Sequence, residues 1–441
     1  MGETRRCSKG TMLAGLGAAG CGLLAGEGLA IFYLPFLAVY YRSLLPCAVG
    51  ERGSWPSWAA AGFNVGCFHL GGCLLWLPGA LRDYSGLSGP AVALFVVVWA
   101  GLQGTHGCLH GWLLGRRRLR DSRGWELVAG LLWLAIRETL RWPLTVEVGD
   151  LIGATAGLAR TTPYLGTWGL TFCVHVAVAA AVRSFRLRVV RRELVVVPLL
   201  LAVVAVLPPV GSVRERPSLY LHLLQPANGL VSTGAESDDL YHSRLQAMVR
   251  RSLSKTENAG DLVVLPEGGL RWPIARPWSA FVAGQLRGHV DLDLLRILAE
   301  RRASAILQHS EWPLGDTAPP FAEAIVPSTP TAFLYESGVF VDSRTKQYLV
   351  PFVEAVPGAE WLPVLGRLGW WTTSVRARSD KLHFRVQDLL FVPLICYESL
   401  FRRPFFRAAS EDADVVLVLS NDDFLGRRGA SLHYHCCPTD V

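Results

Sequence analysis

Seven apolar stretches occupy the chain before residue 212: Thr11 to Gly26, Leu29 to Leu45, Trp58 to Leu81, Ala91 to Leu114, Trp125 to Leu140, Leu165 to Val182 and Leu194 to Val210. A helix needs about 20 mostly apolar residues to cross a bilayer, so a run of such stretches leaves few soluble folds open. The chain is also 51% hydrophobic and 18% charged, with a mean hydropathy of +0.30, too apolar for an ordinary soluble enzyme of 441 residues. The stretches therefore read as membrane spans, the first and fifth being the shortest.

Loop charge tests this count. With the N-terminus inside, Arg5, Arg6, Lys9, Arg42, Arg52, Arg116, Arg117, Arg118, Arg120, Arg123, Arg183, Arg186, Arg188, Arg191 and Arg192 fall in inner segments. Only Arg82, Arg141 and Arg160 fall in outer loops, an asymmetry that holds only if all seven spans cross. The seventh span then delivers the rest of the chain to the outer side. Much of the basic charge behind the net +7 thus belongs to short membrane loops, and no nucleic-acid partner is implied. His106, His110, Arg137, Glu138 and His175 lie in or beside spans, where charge is costly; a structural or lipid-headgroup role is expected of them. The outer loop from Trp142 to Tyr164 is long enough to line a lateral entry for lipid. The ten cysteines show no CxxC pair and no even framework, so neither a zinc site nor a disulfide scaffold is signalled, and Cys436 and Cys437 have no assignable role.

From Val213 the pattern changes to short strands alternating with helices, the mark of an α/β layer domain, with a hairpin pair around Phe333 to Val341 and Tyr348 to Phe352 making the sheet mixed. Strands are expected over Leu219–Leu224, Leu262–Leu265, Ser304–His309, Leu389–Ile395 and Val415–Ser420, and helices over Leu240–Leu253, Leu292–Arg302 and near Arg403–Ala409. Cys396 follows the buried run Leu389 to Ile395, where a strand ends and the chain turns. An isolated cysteine of this kind is ordinarily a small packed hydrophobe. Two further stretches argue otherwise: Leu262 to Leu265 runs into Pro266-Glu267, and Lys346 opens Lys346-Gln347-Tyr348-Leu349-Val350-Pro351-Phe352-Val353-Glu354. A carboxylate, an ammonium and a thiol beside strands supply a base, an oxyanion stabiliser and a nucleophile. Lysine is rare in this chain, which occurs only as Lys9, Lys255, Lys346 and Lys381, so Lys346 is less readily an incidental surface residue.

These motifs, in this order behind the spans, resemble the apolipoprotein N-acyltransferases, membrane bundles that carry a nitrilase-like (carbon-nitrogen hydrolase) domain. The most specific match is Lys346 to Pro357, followed by Ile395-Cys396-Tyr397-Glu398, by Ser420-Asn421-Asp422 with Phe424, Gly426 and His433, and by Leu265-Pro266-Glu267. The resemblance implies an α-helical membrane bundle of about seven spans over residues 1–212 and an α-β-β-α sandwich over 213–441, in the bacterial inner membrane with the second domain on the periplasmic side. It implies catalysis by Glu267, Lys346 and Cys396, with Glu354, Glu398, Tyr397 and Asn421 in support. Cys396 would take the sn-1 acyl chain of a phospholipid, phosphatidylethanolamine above all, as a thioester. The amine of a diacylglyceryl-cysteine at an apolipoprotein N-terminus would then receive it. No cofactor and no metal are implied, and a monomer is expected.

Outside these motifs, the segment Trp361 to Thr373, with Trp370 and Trp371, is apolar enough for an amphipathic lid dipping into the outer leaflet, a buried helix being the ordinary alternative. In members of the family the segment after the histidine matched by His433 continues into further strands and a last span. This chain closes with Cys436 to Val441, so an incomplete sandwich and an inactive shortened form are also expected possibilities. The remaining alternatives are a membrane-tethered amidase, in which water resolves the thioester, and a transporter or scaffold, for which internal repeats would be needed.

Overall fold

The computed structural model describes residues 12–22, 32–44, 57–74, 77–85, 88–115, 124–140, 159–207, 219–225, 238–255, 261–267, 274–276, 292–313, 329–350 and 383–421. The chain divides into two compact units, with Met1–Ser212 forming the bulk of one and Val213–Phe424 the bulk of the other.

In the first unit every apolar stretch holds a helix: α1 (Met12–Gly22), α2 (Tyr33–Leu44), α3 (Ser57–Cys73), α4 (Leu77–Ser85), α5 (Gly89–Leu114), α6 (Trp125–Thr139), α7 (Thr162–Leu187) and α8 (Glu193–Ala205). The third stretch holds both α3 and α4, with Pro78 in the first turn of α4, where a missing N–H leaves no helix bond unmade. Among the described residues only α5 and α7, with 26 residues each, are long and apolar enough to cross a membrane, so the expected seven crossings rest here on two helices. α7 bends at Gly166, whose φ of +59° lies in the region that glycine adopts without strain.

Two features of this unit suit an apolar solvent. Leu94, Val97 and Val98 of α5 and Val195, Val196, Leu199 and Val203 of α8 stand exposed, while Val92, Val96, Trp99 and Gln103 on the other side of α5 are buried. A water-soluble surface rarely carries such continuous apolar faces. Helices α3 and α5 also approach through small residues, as membrane helices do. A Cβ on Gly104 would stand 2.8 Å from the Gly62 carbonyl oxygen, and one on Gly107 would stand 2.7 Å from that of Ala61.

The histidines and Arg137 of these helices turn inward. His110 Nε2 meets the Ala129 carbonyl oxygen at 2.8 Å, and since a carbonyl only accepts, that nitrogen carries the proton; Nδ1 then accepts from the Tyr40 hydroxyl at 2.6 Å. His106 Nε2 likewise donates to the Leu140 carbonyl at 2.6 Å, leaving Nδ1 to accept from Arg137 at 2.9 Å. Tyr41 binds His175 at 2.7 Å. Glu126, fully buried at the start of α6, faces Arg183 at 3.3 Å and Arg191 at 3.6 Å, so the start of α6 and the end of α7 lie at one end of the bundle. Arg137 and the histidines therefore act as internal ties, whereas Glu138 is exposed.

The second unit has a sheet in the order β1 (Leu221–Leu223), β2 (Leu262–Leu265), β4 (Ser304–Pro313), β5 (Thr329–Glu336) and β6 (Val339–Thr345), with β3 (Ile274–Arg276) also on β4. A second sheet runs β7 (Phe384–Val386), β8 (Leu389–Ile395), β9 (Val415–Leu419). Helices α9 (Asp238–Leu253) and α10 (Leu292–Arg301) cover one face of the first sheet, where Tyr241, Leu245, Val249, Leu294 and Leu298 meet Val263, Leu265, Ala305, Leu307, Phe333 and Tyr335. By strand alternation Leu262, Val264, Ile306, Ala332 and Leu334 point to the opposite face, and they too are buried. On the second sheet Val392 and Leu394 meet Phe405 and Ala408 of α11 (Arg402–Ser410). All seven residues of β8 are buried, so both of its faces are covered. The result is a helix-sheet-sheet-helix layering, as the resemblance implied.

The hairpin differs from the expected one. Its turn is Ser337-Gly338, both at positive φ (49° and 77°), as a two-residue turn matching strand twist requires. The second strand is accordingly Val339–Thr345, and Tyr348 lies beyond it. At the sheet's edge His222 of β1 contacts Ser252 of α9 at 2.7 Å and Asp261 at 3.0 Å, tying a three-residue strand to its neighbours.

Candidate active site

Strand direction sets the end of each sheet at which the expected residues lie. β2 and β4 are parallel, β5 is antiparallel to β4, and β6 is antiparallel to β5, so β2 and β6 end on the same side of the sheet. Glu267 follows β2 and Lys346 follows β6, the latter with its N–H bonded to the Pro330 carbonyl at 2.8 Å. In the second sheet β8 and β9 are parallel with Ile395 opposite Leu419, so Cys396 and Asn421 both lie just past the carboxyl ends of their strands. Ligand sites in open α/β sheets favour this location, because loops there are free to differ while the strands hold them rigid.

Cys396 opens a single 3-10 turn, Cys396–Leu400, with φ at +49°. A non-glycine residue there is strained, and such strain persists only where surroundings over-determine it. Here Ser399 Oγ donates to the Cys396 carbonyl at 2.7 Å, and Glu398 reaches back to accept the Ile395 N–H at 2.9 Å. The thiol-bearing residue is 6% exposed.

Glu398 is the joint of the site. One oxygen accepts from the Arg344 guanidinium at 2.7 Å and from the Ile395 N–H; the other accepts from the second guanidinium nitrogen at 3.1 Å and from the Gln347 N–H at 2.6 Å. Both side chains are fully buried. The same guanidinium donates to the Pro393 carbonyl. These bonds staple residues 344–347 at the end of β6 onto residues 393–398 at the end of β8, which brings the segment of Lys346 and the turn of Cys396 to one junction. A ring cluster repeats the tie: Tyr348 stacks on Phe401 at 4.4 Å, and Tyr397 meets Phe401 edge-on at 4.9 Å.

Glu398, expected in a supporting role, has Arg344 as its observed ion-pair partner, a residue that sequence reasoning did not select. Among so many arginines its type carries no signal. Its place two residues before Lys346 on a strand is the only hint. Lys346 is fully buried, Tyr397 and Asn421 are buried and Glu267 is half-buried. Glu354, Trp370 and Trp371 lie outside the described residues, as do Asp422, Phe424, Gly426 and His433. No group of three or more histidine, cysteine, aspartate or glutamate residues suited to a metal occurs among the described residues.

No family model matches the chain. Its sequence is similar to the apolipoprotein N-acyltransferase of Rickettsia typhi, 23% identical over 431 residues that cover 94% of this chain and 81% of that one. It is similar at 24% identity to that of Rickettsia bellii, over 94% of this chain and 80% of the relative. Among solved structures, a variant amidase of the nitrilase superfamily from Nesterenkonia AN1 is 16% identical, with a TM-score of 0.27 over 45% of this chain and 62% of that one.

Proposed function

For an acyltransferase related to the apolipoprotein N-acyltransferases, as this chain is, we propose a two-step transfer through a thioester on Cys396. Glu267 takes the thiol proton, because the thiolate is the nucleophile and an unassisted cysteine is mostly protonated at neutral pH. The thiolate attacks the sn-1 ester carbonyl of a phospholipid, phosphatidylethanolamine in the first instance. Collapse of the tetrahedral intermediate breaks the ester C–O bond, and the lysophospholipid leaves with the proton returned by Glu267. The α-amine of a diacylglyceryl-cysteine at an apolipoprotein N-terminus then attacks the thioester, losing its proton to Glu267 as the C–S bond breaks. Lys346 stabilises the oxyanion in both steps.

The observation that carries this reading is the joining of the Lys346 segment to the Cys396 turn through Glu398, at the carboxyl ends of the strands. Glu398 has all four acceptor positions filled, which suits a structural carboxylate and leaves the proton-moving task to Glu267. Glu354, Tyr397 and Asn421 support the trio, and Trp370 and Trp371 serve as a lid against the lipid. The protein is a monomer in the bacterial inner membrane, crossing it about seven times, with residues 213–441 on the periplasmic side.

The test is incubation with phospholipid labelled in its sn-1 chain and a diacylglyceryl peptide. Label on the peptide amine is expected, together with an acyl adduct on Cys396 by mass spectrometry. Label released only as free fatty acid would establish a hydrolase instead.

A further inference from the structure

The buried pair of Arg344 and Glu398 has a geometry that a merely stabilising ion pair does not need. A carboxylate can accept about four hydrogen bonds, and Glu398 takes two from the guanidinium and two from backbone N–H groups. One of those N–H groups, on Gln347, directly follows Lys346; the other, on Ile395, directly precedes Cys396. Arg344 also donates to the Pro393 carbonyl, so the guanidinium holds the end of β8 through its backbone as well as through Glu398. Every one of these groups is buried or half-buried.

We propose that Arg344 is a positioning residue: its guanidinium, forked onto Glu398, sets the spacing between the segment that carries Lys346 and the turn that carries Cys396. The inference rests on the acyl-transfer reading for its consequence but not for its geometry. A planar fork is required because two parallel N–H groups on separate nitrogens must meet two oxygens while one of them also reaches Pro393; the three N–H groups of an ammonium diverge from a single nitrogen and do not reproduce that geometry. Shifting a catalytic group by about 1 Å costs on the order of 100-fold in rate, so a loosened joint should appear in turnover rather than in substrate binding.

The experiment uses the full chain with Arg344→Lys, which keeps the charge and removes the fork. Iodoacetamide alkylation of Cys396, resolved from the other cysteines by peptide mass, is followed against pH. The expected result is a profile moved to higher pH by about one unit, since an ammonium held less closely favours the thiolate less. In the labelled transfer assay kcat should fall by about 30- to 100-fold with KM within about twofold. A profile and a kcat per folded molecule equal to those of the parent, with only the melting temperature lowered, would overturn the proposal. Glu398→Gln, which preserves shape and one acceptor, is the second arm: kcat should again fall by about 30- to 100-fold with KM within about twofold, and an unchanged kcat per folded molecule counts against the proposal even where Arg344→Lys does not fold. Alkylation requires neither lipid nor peptide. A parent protein that transfers no acyl chain therefore defeats the functional reading while leaving the positioning role separately measurable.

Discussion

Arg137 in the helical unit and Arg344 in the α/β unit are both buried arginines, yet they are held in opposite ways. Arg137 donates to neutral acceptors, Gln103 at 3.1 Å and His106 at 2.9 Å, which lie on a neighbouring helix. Arg344 meets a carboxylate that is itself bonded to the backbone of two strand ends. The first arrangement ties side chains of α6 and α5 to each other; the second fixes backbone. Disturbing the first should therefore cost stability, while disturbing the second should move the reacting groups.

Four substitutions probe that difference, in decreasing order of effect on the enzyme. Cys396→Ala should abolish transfer, by more than about 1000-fold, with the melting temperature little changed; residual transfer would place the nucleophile elsewhere. Lys346→Met should lower kcat by about 100- to 1000-fold, the usual loss on removing one oxyanion donor, read in the labelled assay. Gly104→Leu forces a side chain against the Gly62 carbonyl and should destabilise the bundle by about 1 to 3 kcal/mol, measured by thermal unfolding in detergent. The rate of Cys396 alkylation should stay that of the parent, and a slowed rate would erase the distinction between the units. Arg137→Met leaves the Gln103 and His106 acceptors without that donor and should cost about 1 to 3 kcal/mol in the same unfolding assay, again with alkylation unchanged.

The strands Leu262–Leu265 and Leu389–Ile395 have the bounds that their apolar runs predict, and helices α9 and α10 begin or end within two residues of the expected positions. Such elements are legible because burial on both faces, or a stripe at helical spacing, is written in consecutive residues. The hairpin was misplaced because its register follows from a turn with two positive φ values, and Ser337-Gly338 does not advertise itself as strongly as the apolar residues around it. β3 and β7, three residues each, were not foreseen; strands that short exist only through pairing with β4 and β8.

Of the site, the chain's residue types alone singled out Glu267, Lys346 and Cys396, because a rare lysine, an acid and a thiol beside buried strands form a chemical set whatever their distance. Local order also determined the division into apolar helices followed by alternating strands and helices, since solvent preference is a property of each short stretch. That the residues at the ends of β6 and β8 are joined through Glu398, that Arg344 rather than another arginine pairs with it, and that a strained turn carries the thiol were decided only by tertiary structure. The first two relations depend on contacts between residues about 50 positions apart, which exist only after the sheets have stacked and excluded water from the charged pair.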